Sequence, residues 1–137
     1  MKYRMFSISS NPNNVLEVES YLKKLDFDFS FDSEKYADIL ISLTEAVNNA
    51  IIHGNKADES KYVHIHVQVK DKGISFCVTD EGIGFNPGRV PDPTCAENIE
   101  CCGGRGVYIM KALSDEINFD NNGRSVEMYF NLKNQMA

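Results

Sequence analysis

The sequence predicts an α+β domain with a mostly antiparallel sheet covered on one face by helices. Three observations predict it. Stretches of alternating apolar and polar residues fall in sequential pairs joined by tight turns, as antiparallel neighbours do. Other stretches carry apolar residues at spacings of three and four, the period of a helix with one buried face. The 137 residues, 42% hydrophobic and 25% charged, suit one globular domain with one core. With no internal repeat, low-complexity tract or linker, residues 1–137 read as a single unit.

In chain order, residues 2–9 (KYRMFSIS) read as a first strand. Asn11-Pro12-Asn13 is a turn or helix-cap signal, and VLEVESYLKKL follows as a helix with Val15, Val18, Leu22 and Leu25 on one side. Residues 33–53 form the strongest helical pattern, with Tyr36, Ile39, Leu40, Leu43, Val47, Ala50 and Ile51 in one stripe. Gly54 is expected to end it as a left-handed residue. YVHIHVQVKD alternates as a strand, Lys72-Gly73 makes the turn, and ISFCVTD returns as its hairpin partner. Residues 86–102 contain Pro87, Pro91 and Pro93 without periodicity and read as a long loop, a length that points to function or mobility. Gly103-Gly104-Arg105-Gly106 opens a helix, VYIMKALSD, before two closing strands, EINFD and SVEMYFNLK, joined at Asn121-Asn122-Gly123.

A net charge of −6 and a pI near 5.0 argue against general affinity for nucleic acid or anionic membrane. No stretch approaches the roughly 18 apolar residues of a membrane span, and the start lacks a signal-peptide core. The expectation is a cytosolic protein. Cys77, Cys95, Cys101 and Cys102 form no C-x-x-C pair, and the adjacent two are poorly placed for tetrahedral zinc. In the cytosol they are expected as reduced thiols. His64 and His66 share one strand face and are expected to be exposed rather than to act as ligands.

Three separated pieces carry chemistry. Glu45 and Asn49 lie four apart on the long helix, about 40° from one another on its wheel and nearly opposite its apolar stripe. Together a carboxylate and an amide can bind a water or a hard cation, although such a pair taken alone usually marks a solvated face. Ile41 and Ile52 flank Glu45 there, so some cover over that face is expected. The second piece, Asp80-Glu81-Gly82-Ile83-Gly84-Phe85, ends a strand with a carboxylate that accepts hydrogen bonds, as from an exocyclic amine. Gly82 and Gly84 permit positive φ and close backbone approach. The third, Gly104-Arg105-Gly106, starts a helix, where free N–H groups and the dipole favour phosphate and Arg105 adds charge. It is neither a Walker A loop nor a Rossmann fingerprint.

In this order the pieces resemble the ATP-binding domain shared by histidine kinases, gyrase, Hsp90 and MutL. LTEAVNNAIIHGN resembles the N-box of the bacterial anti-sigma-factor serine kinases, and DEGIGFNP resembles their first glycine box. VPDPTCAENIECCGGRGVYIMKALSDEINF resembles their lid, phosphate loop and following helix, so the likeness runs over roughly residues 5–133. It implies a two-layer α/β sandwich of the histidine-kinase-like ATPase (Bergerat) type. It implies ATP and Mg²⁺ as cofactors, with Glu45 as general base and Asn49 as ligand to the ion. Asp80 would accept from the adenine amine, with Gly82 and Gly84 shaping the base pocket. Gly104, Arg105 and Gly106 would hold the β and γ phosphates, and residues 86–102 would form the ATP lid.

The activity so implied is transfer of the ATP γ-phosphoryl to a serine of an anti-sigma-factor antagonist, a small α/β protein. A sigma factor would be the second partner, regulated by partner switching. The resemblance also admits a homodimer, for which the first strand would offer an edge. Two other readings remain at this stage: a catalytic domain acting on a phospho-acceptor histidine, and a nucleotide-dependent interaction switch without transfer. The 137 residues contain no acceptor-histidine helix, which weighs against the former; intact Glu45 and Asn49 weigh against the latter.

Overall fold

The computed structural model describes residues 3–70, 72–82, 104–120 and 124–132. Its elements are β1 (Tyr3–Ser9), a 3₁₀ turn (Pro12–Asn14), α1 (Val15–Phe29), α2 (Ser33–Asn49), a π-helical turn (Ala50–Gly54), β2 (Tyr62–Lys70), β3 (Gly73–Thr79), α3 (Gly104–Leu113), β4 (Glu116–Asp120) and β5 (Ser125–Asn131). The five strands form one sheet in the order β1-β2-β3-β5-β4, with every neighbouring pair antiparallel.

Alternation in the strands sends Ile8, Val63, Ile65, Val67, Ile74, Phe76, Val78, Met128 and Phe130 into the core. The helices meet them there with Val18, Leu22, Leu25, Ile39, Leu43, Val47 and Met110. The result is the two-layer α+β sandwich the sequence predicts. β1 is an edge strand, and Tyr3 and Met5 on it are exposed.

Two helix ends differ from expectation. α1 continues past Leu25 to Phe29, where Ser30 takes the left-handed backbone (φ 52°) and its N–H donates to Asp26 O at 2.7 Å. The Asp26 carboxylate also accepts the Phe31 N–H at 3.0 Å. The sequence hid this turn because Phe27 points outward, 88% exposed, and breaks the apolar period.

α2 begins as expected, with Asp32 capping the Lys35 N–H at 2.8 Å. However, it widens into a π turn after Asn49, and Gly54 is not left-handed. Lys56 and Ala57 take the left-handed backbone instead, both at φ 55°. Gly54 is needed for a different reason, at the site. The 86–102 loop, Cys95, Cys101, Cys102 and the Asn121-Asn122-Gly123 turn lie outside the described residues.

Candidate nucleotide-binding site

The site forms where the end of α2, the start of α3 and the ends of β3 and β5 meet. Asp80, directly after β3, is buried, and its N–H donates to Arg124 O at 2.9 Å, continuing the β3–β5 ladder by one residue. Its Oδ1 accepts the Gly82 N–H at 2.7 Å. Burial pushes the Asp80 carboxyl up from its ordinary range, opposed by the Gly82 bond and by the charges of Arg124 and Lys61.

Two glycines fit this carboxylate by close approach. A Cβ on Gly54 would lie 2.3 Å from Asp80 Oδ2, and one on Gly82 would lie 1.9 Å from the Gly54 carbonyl oxygen. Gly82 therefore serves close packing of backbone on backbone, without the positive φ that the sequence allowed it. Gly84 lies outside the described residues.

Glu45 and Asn49 are half-buried on α2. A Cβ on Gly106 would stand 2.9 Å from Glu45 Oε2 and 2.9 Å from Asn49 Nδ2. The start of α3 is thus pressed against both side chains, joining the first and third pieces read from the sequence. Arg105 beside it is exposed. The cover expected over Ile41 and Ile52 is not found among the described residues, since both are 45% exposed. α3 instead meets the flank that carries Glu45 and Asn49.

Between these parts runs a slot lined by Ala46, Asn49, Ala50, Val78, Asp80, Met110, Phe119, Arg124 and Val126. Its free volume is about 30 Å³, room for roughly one water, so a purine base would have to widen it. The second and first pieces of the sequence reading thus share one cleft, with Asp80 at one wall and Asn49 at another.

A family profile described as histidine kinase-like ATPase domain matches residues 8–130. The chain belongs to this family. The anti-sigma F factor of Clostridium perfringens (strain 13 / Type A) is 34% identical over 105 residues, covering 74% of this chain and 71% of that protein. The anti-sigma F factor of Bacillus thuringiensis (strain Al Hakam) is 31% identical over 143 residues, spanning 100% of this chain and 95% of that one. The serine-protein kinase RsbW of Bacillus licheniformis is 32% identical over 117 residues, with 79% and 71% covered. Among solved structures, the RsbU and RsbW domains of a Mycobacterium tuberculosis protein superpose with a TM-score of 0.69 at 16% identity, over 96% of this chain and 32% of that one. That last match concerns the fold alone. The likeness to anti-sigma-factor serine kinases read from the sequence stands, and the family is one of ATPases.

Within this histidine kinase-like ATPase domain, sequence reasoning passed over Asn55. It is fully buried, and its Nδ2 donates to Ser10 Oγ at 2.8 Å and to Tyr62 O at 3.0 Å. Its Oδ1 accepts the Glu81 N–H at 2.8 Å. One amide therefore ties the end of the π turn to β1, to β2 and to the turn that carries Asp80. The only signal in the sequence is an amide directly after the helix-ending glycine, which reads as an ordinary turn residue.

Glu81 holds the same turn from outside. Its carboxylate accepts the Tyr62 N–H at 2.9 Å and the His64 Nε2–H at 3.0 Å, and these bonds, the Tyr62 one foremost, hold its carboxyl below the usual range. The other ring nitrogen of His64, Nδ1, hydrogen-bonds the Ser7 hydroxyl, 2.7 Å away. His66 meets the Tyr3 hydroxyl. Both histidines, expected to be exposed, are half-exposed and hydrogen-bonded across strands. Cys77 is half-buried in β3, and burial raises its thiol above the usual value. Among the described residues no helix is long and apolar enough to cross a membrane.

Proposed function

We propose that this chain is an ATP- and Mg²⁺-dependent anti-sigma factor with serine kinase activity. Its substrate would be a serine hydroxyl on an anti-sigma-factor antagonist, and it would regulate a sigma factor by partner switching. The observation that carries the reading is the meeting of Gly106 with both Glu45 and Asn49, of which Asn49 also lines the cleft that holds Asp80. An acid, an amide, a helix start and a buried carboxylate acceptor are the groups that adenine and phosphates need in turn. The names of the relatives, anti-sigma F factor and serine-protein kinase, support the same reading.

The donor set fits the cofactors. Asp80 is a buried acceptor at the end of an apolar slot, suited to an exocyclic amine. Asn49 offers one oxygen ligand beside one carboxylate, as suits a magnesium ion that keeps several waters. Bound magnesium supplies positive charge against the charge that builds on the phosphate oxygens.

The chain's own residues do the rest. Glu45 orients the acceptor hydroxyl and takes its proton as the new P–O bond forms and the bond to the departing ADP oxygen breaks. Gly106 leaves room for Glu45 and Asn49 to keep these orientations. The N–H groups at the start of α3, with Arg105, hold the phosphates.

Calorimetric titration with ATP, with and without Mg²⁺, on the wild type and on Asp80→Asn tests the reading. Magnesium-dependent binding that weakens by about 1.5 kcal/mol or more in the variant is the expected result. Absence of binding under all conditions would refute it.

A further inference from the structure

Besides Asn49 and Asp80 the slot has a third polar residue, Arg124, that the motifs do not include. Its floor is a row of apolar side chains across three strands: Phe119 pairs with Val126, and Val126 with Val78. Asp80 stands two residues beyond Val78, and Arg124 two residues before Val126 on the antiparallel neighbour. Side chains two apart along extended chain share a face. The Asp80 N–H to Arg124 O bond keeps the two residues directly opposite each other. Both line the slot. A residue with a carboxylate and one with a guanidinium therefore stand opposite each other at one end of an apolar floor. One only accepts hydrogen bonds and the other only donates.

A flat ligand lying on that floor meets the pair with its edge. The matching edge carries a donor next to an acceptor. A 6-aminopurine presents this edge, with its exocyclic amine beside ring nitrogen N1. We propose that Arg124 is a second base-reading residue, donating to N1 while Asp80 accepts from the amine. The inference rests on the nucleotide-binding reading above and names a determinant of its base specificity. Arg124 also acts on the protein's side of the contact: its charge favours the ionised Asp80 that acceptance from the amine requires.

Calorimetry on the full chain separates these roles, with ATP and 1-deaza-ATP as probes and Arg124→Ala and Arg124→Lys as variants. Arg124→Ala is expected to weaken ATP at least about tenfold, the size of a lost charged hydrogen bond, and to weaken 1-deaza-ATP distinctly less, since only the charge effect on Asp80 is lost there. Arg124→Lys, which keeps the charge and loses the fork, is expected to bind ATP nearly as weakly as the alanine variant. Equal losses on both nucleotides would overturn the proposal, because the arginine would then act only through its charge on Asp80. Wild-type affinity in Arg124→Lys would overturn it for the same reason, and an unchanged Arg124→Ala would overturn it outright. If Asp80→Asn weakens ATP and Arg124→Ala does not, this inference alone fails. If the wild type binds no ATP, the nucleotide-binding reading fails with it.

Discussion

The amide oxygen of Asn55 accepts the backbone N–H of Glu81 at 2.8 Å, so the residue that closes the α2 segment also fixes the turn carrying Asp80. Its two N–H bonds go to Ser10 Oγ and Tyr62 O. The turn that carries the Asp80 carboxylate is thus held by an amide remote in sequence and fully buried.

Replacing that amide tests the clamp. Asn55→Ala leaves the part-buried Glu81 N–H and Tyr62 carbonyl short of a partner, which costs up to about 1–3 kcal/mol for each group left unsatisfied. A denaturant midpoint lowered without a change in slope is the expected outcome. Asn55→Asp retains the acceptor for Glu81 and loses the two donors, while adding a buried charge. It should therefore be no more stable than the alanine variant. A midpoint equal to wild type in both would show that Asn55 holds nothing.

Asp80 makes a prediction about pH. Its folded carboxyl titrates above the unfolded value because burial outweighs the Gly82 bond and the nearby charges. The sign follows from proton binding: between the two values the folded state holds more protons than the unfolded one. The stability contributed by Asp80 is therefore present below the unfolded value and lost as pH rises through the folded one. Asp80→Asn removes this loss and still accepts from the Gly82 N–H. The nucleotide-free variant should be more stable than wild type near neutral pH, with the gain shrinking as pH falls through the carboxyl range, while ATP affinity drops. Melting curves across pH check it. A gain that is constant with pH, or a net destabilisation at neutral pH, would count against the buried-charge account. This is the opposition of site chemistry to stability that functional carboxylates commonly show.

Much of this was legible in the sequence because the signals are local. Alternation in YVHIHVQVKD and ISFCVTD sufficed for the β2–β3 hairpin, and the stripe from Tyr36 to Ile51 sufficed for α2. Glu45 and Asn49 were found by helical spacing, and Asp80 by an acid placed between a strand and glycines. What stayed hidden depends on contacts distant in sequence. Gly54 reads as a helix terminator, yet its role is to admit the Asp80 carboxylate from 26 residues further on. Arg124 reads as a turn residue until β5 is paired with β3, which brings it opposite Asp80. Asn55 has no periodic signature at all.

Gly106 offers a test of packing between α2 and α3. The nearest atoms to an added methyl are the Glu45 and Asn49 side-chain tips, which can swing away, so Gly106→Ala should fold. Gly82→Ala meets the Gly54 carbonyl oxygen, which is backbone and cannot move without the π turn. The two variants should therefore separate. Gly106→Ala is expected to keep a melting temperature near wild type but lose phosphoryl transfer by at least about tenfold, because misplacing either side chain costs catalytic geometry. Gly82→Ala is expected to melt well below wild type. Comparable losses of stability in both would mean that the α2–α3 contact is as rigid as the turn.

The proposed division of labour between Glu45 and Asn49 leads to different kinetic signatures from neighbouring residues on one helix. Glu45→Gln keeps shape and hydrogen bonding but cannot take a proton, so it should lower phosphoryl transfer at least about a hundredfold. ATP affinity should stay nearly unchanged, since in this account the carboxylate acts on the acceptor hydroxyl and not on the nucleotide. Asn49→Ala should show the reverse emphasis, with ATP binding that no longer responds to Mg²⁺. Single-turnover phosphate transfer and calorimetry with and without the ion read the two effects separately. If Glu45→Gln lost affinity and rate by the same factor, the carboxylate would be a binding group. The base would then have to be sought among other residues facing the start of α3.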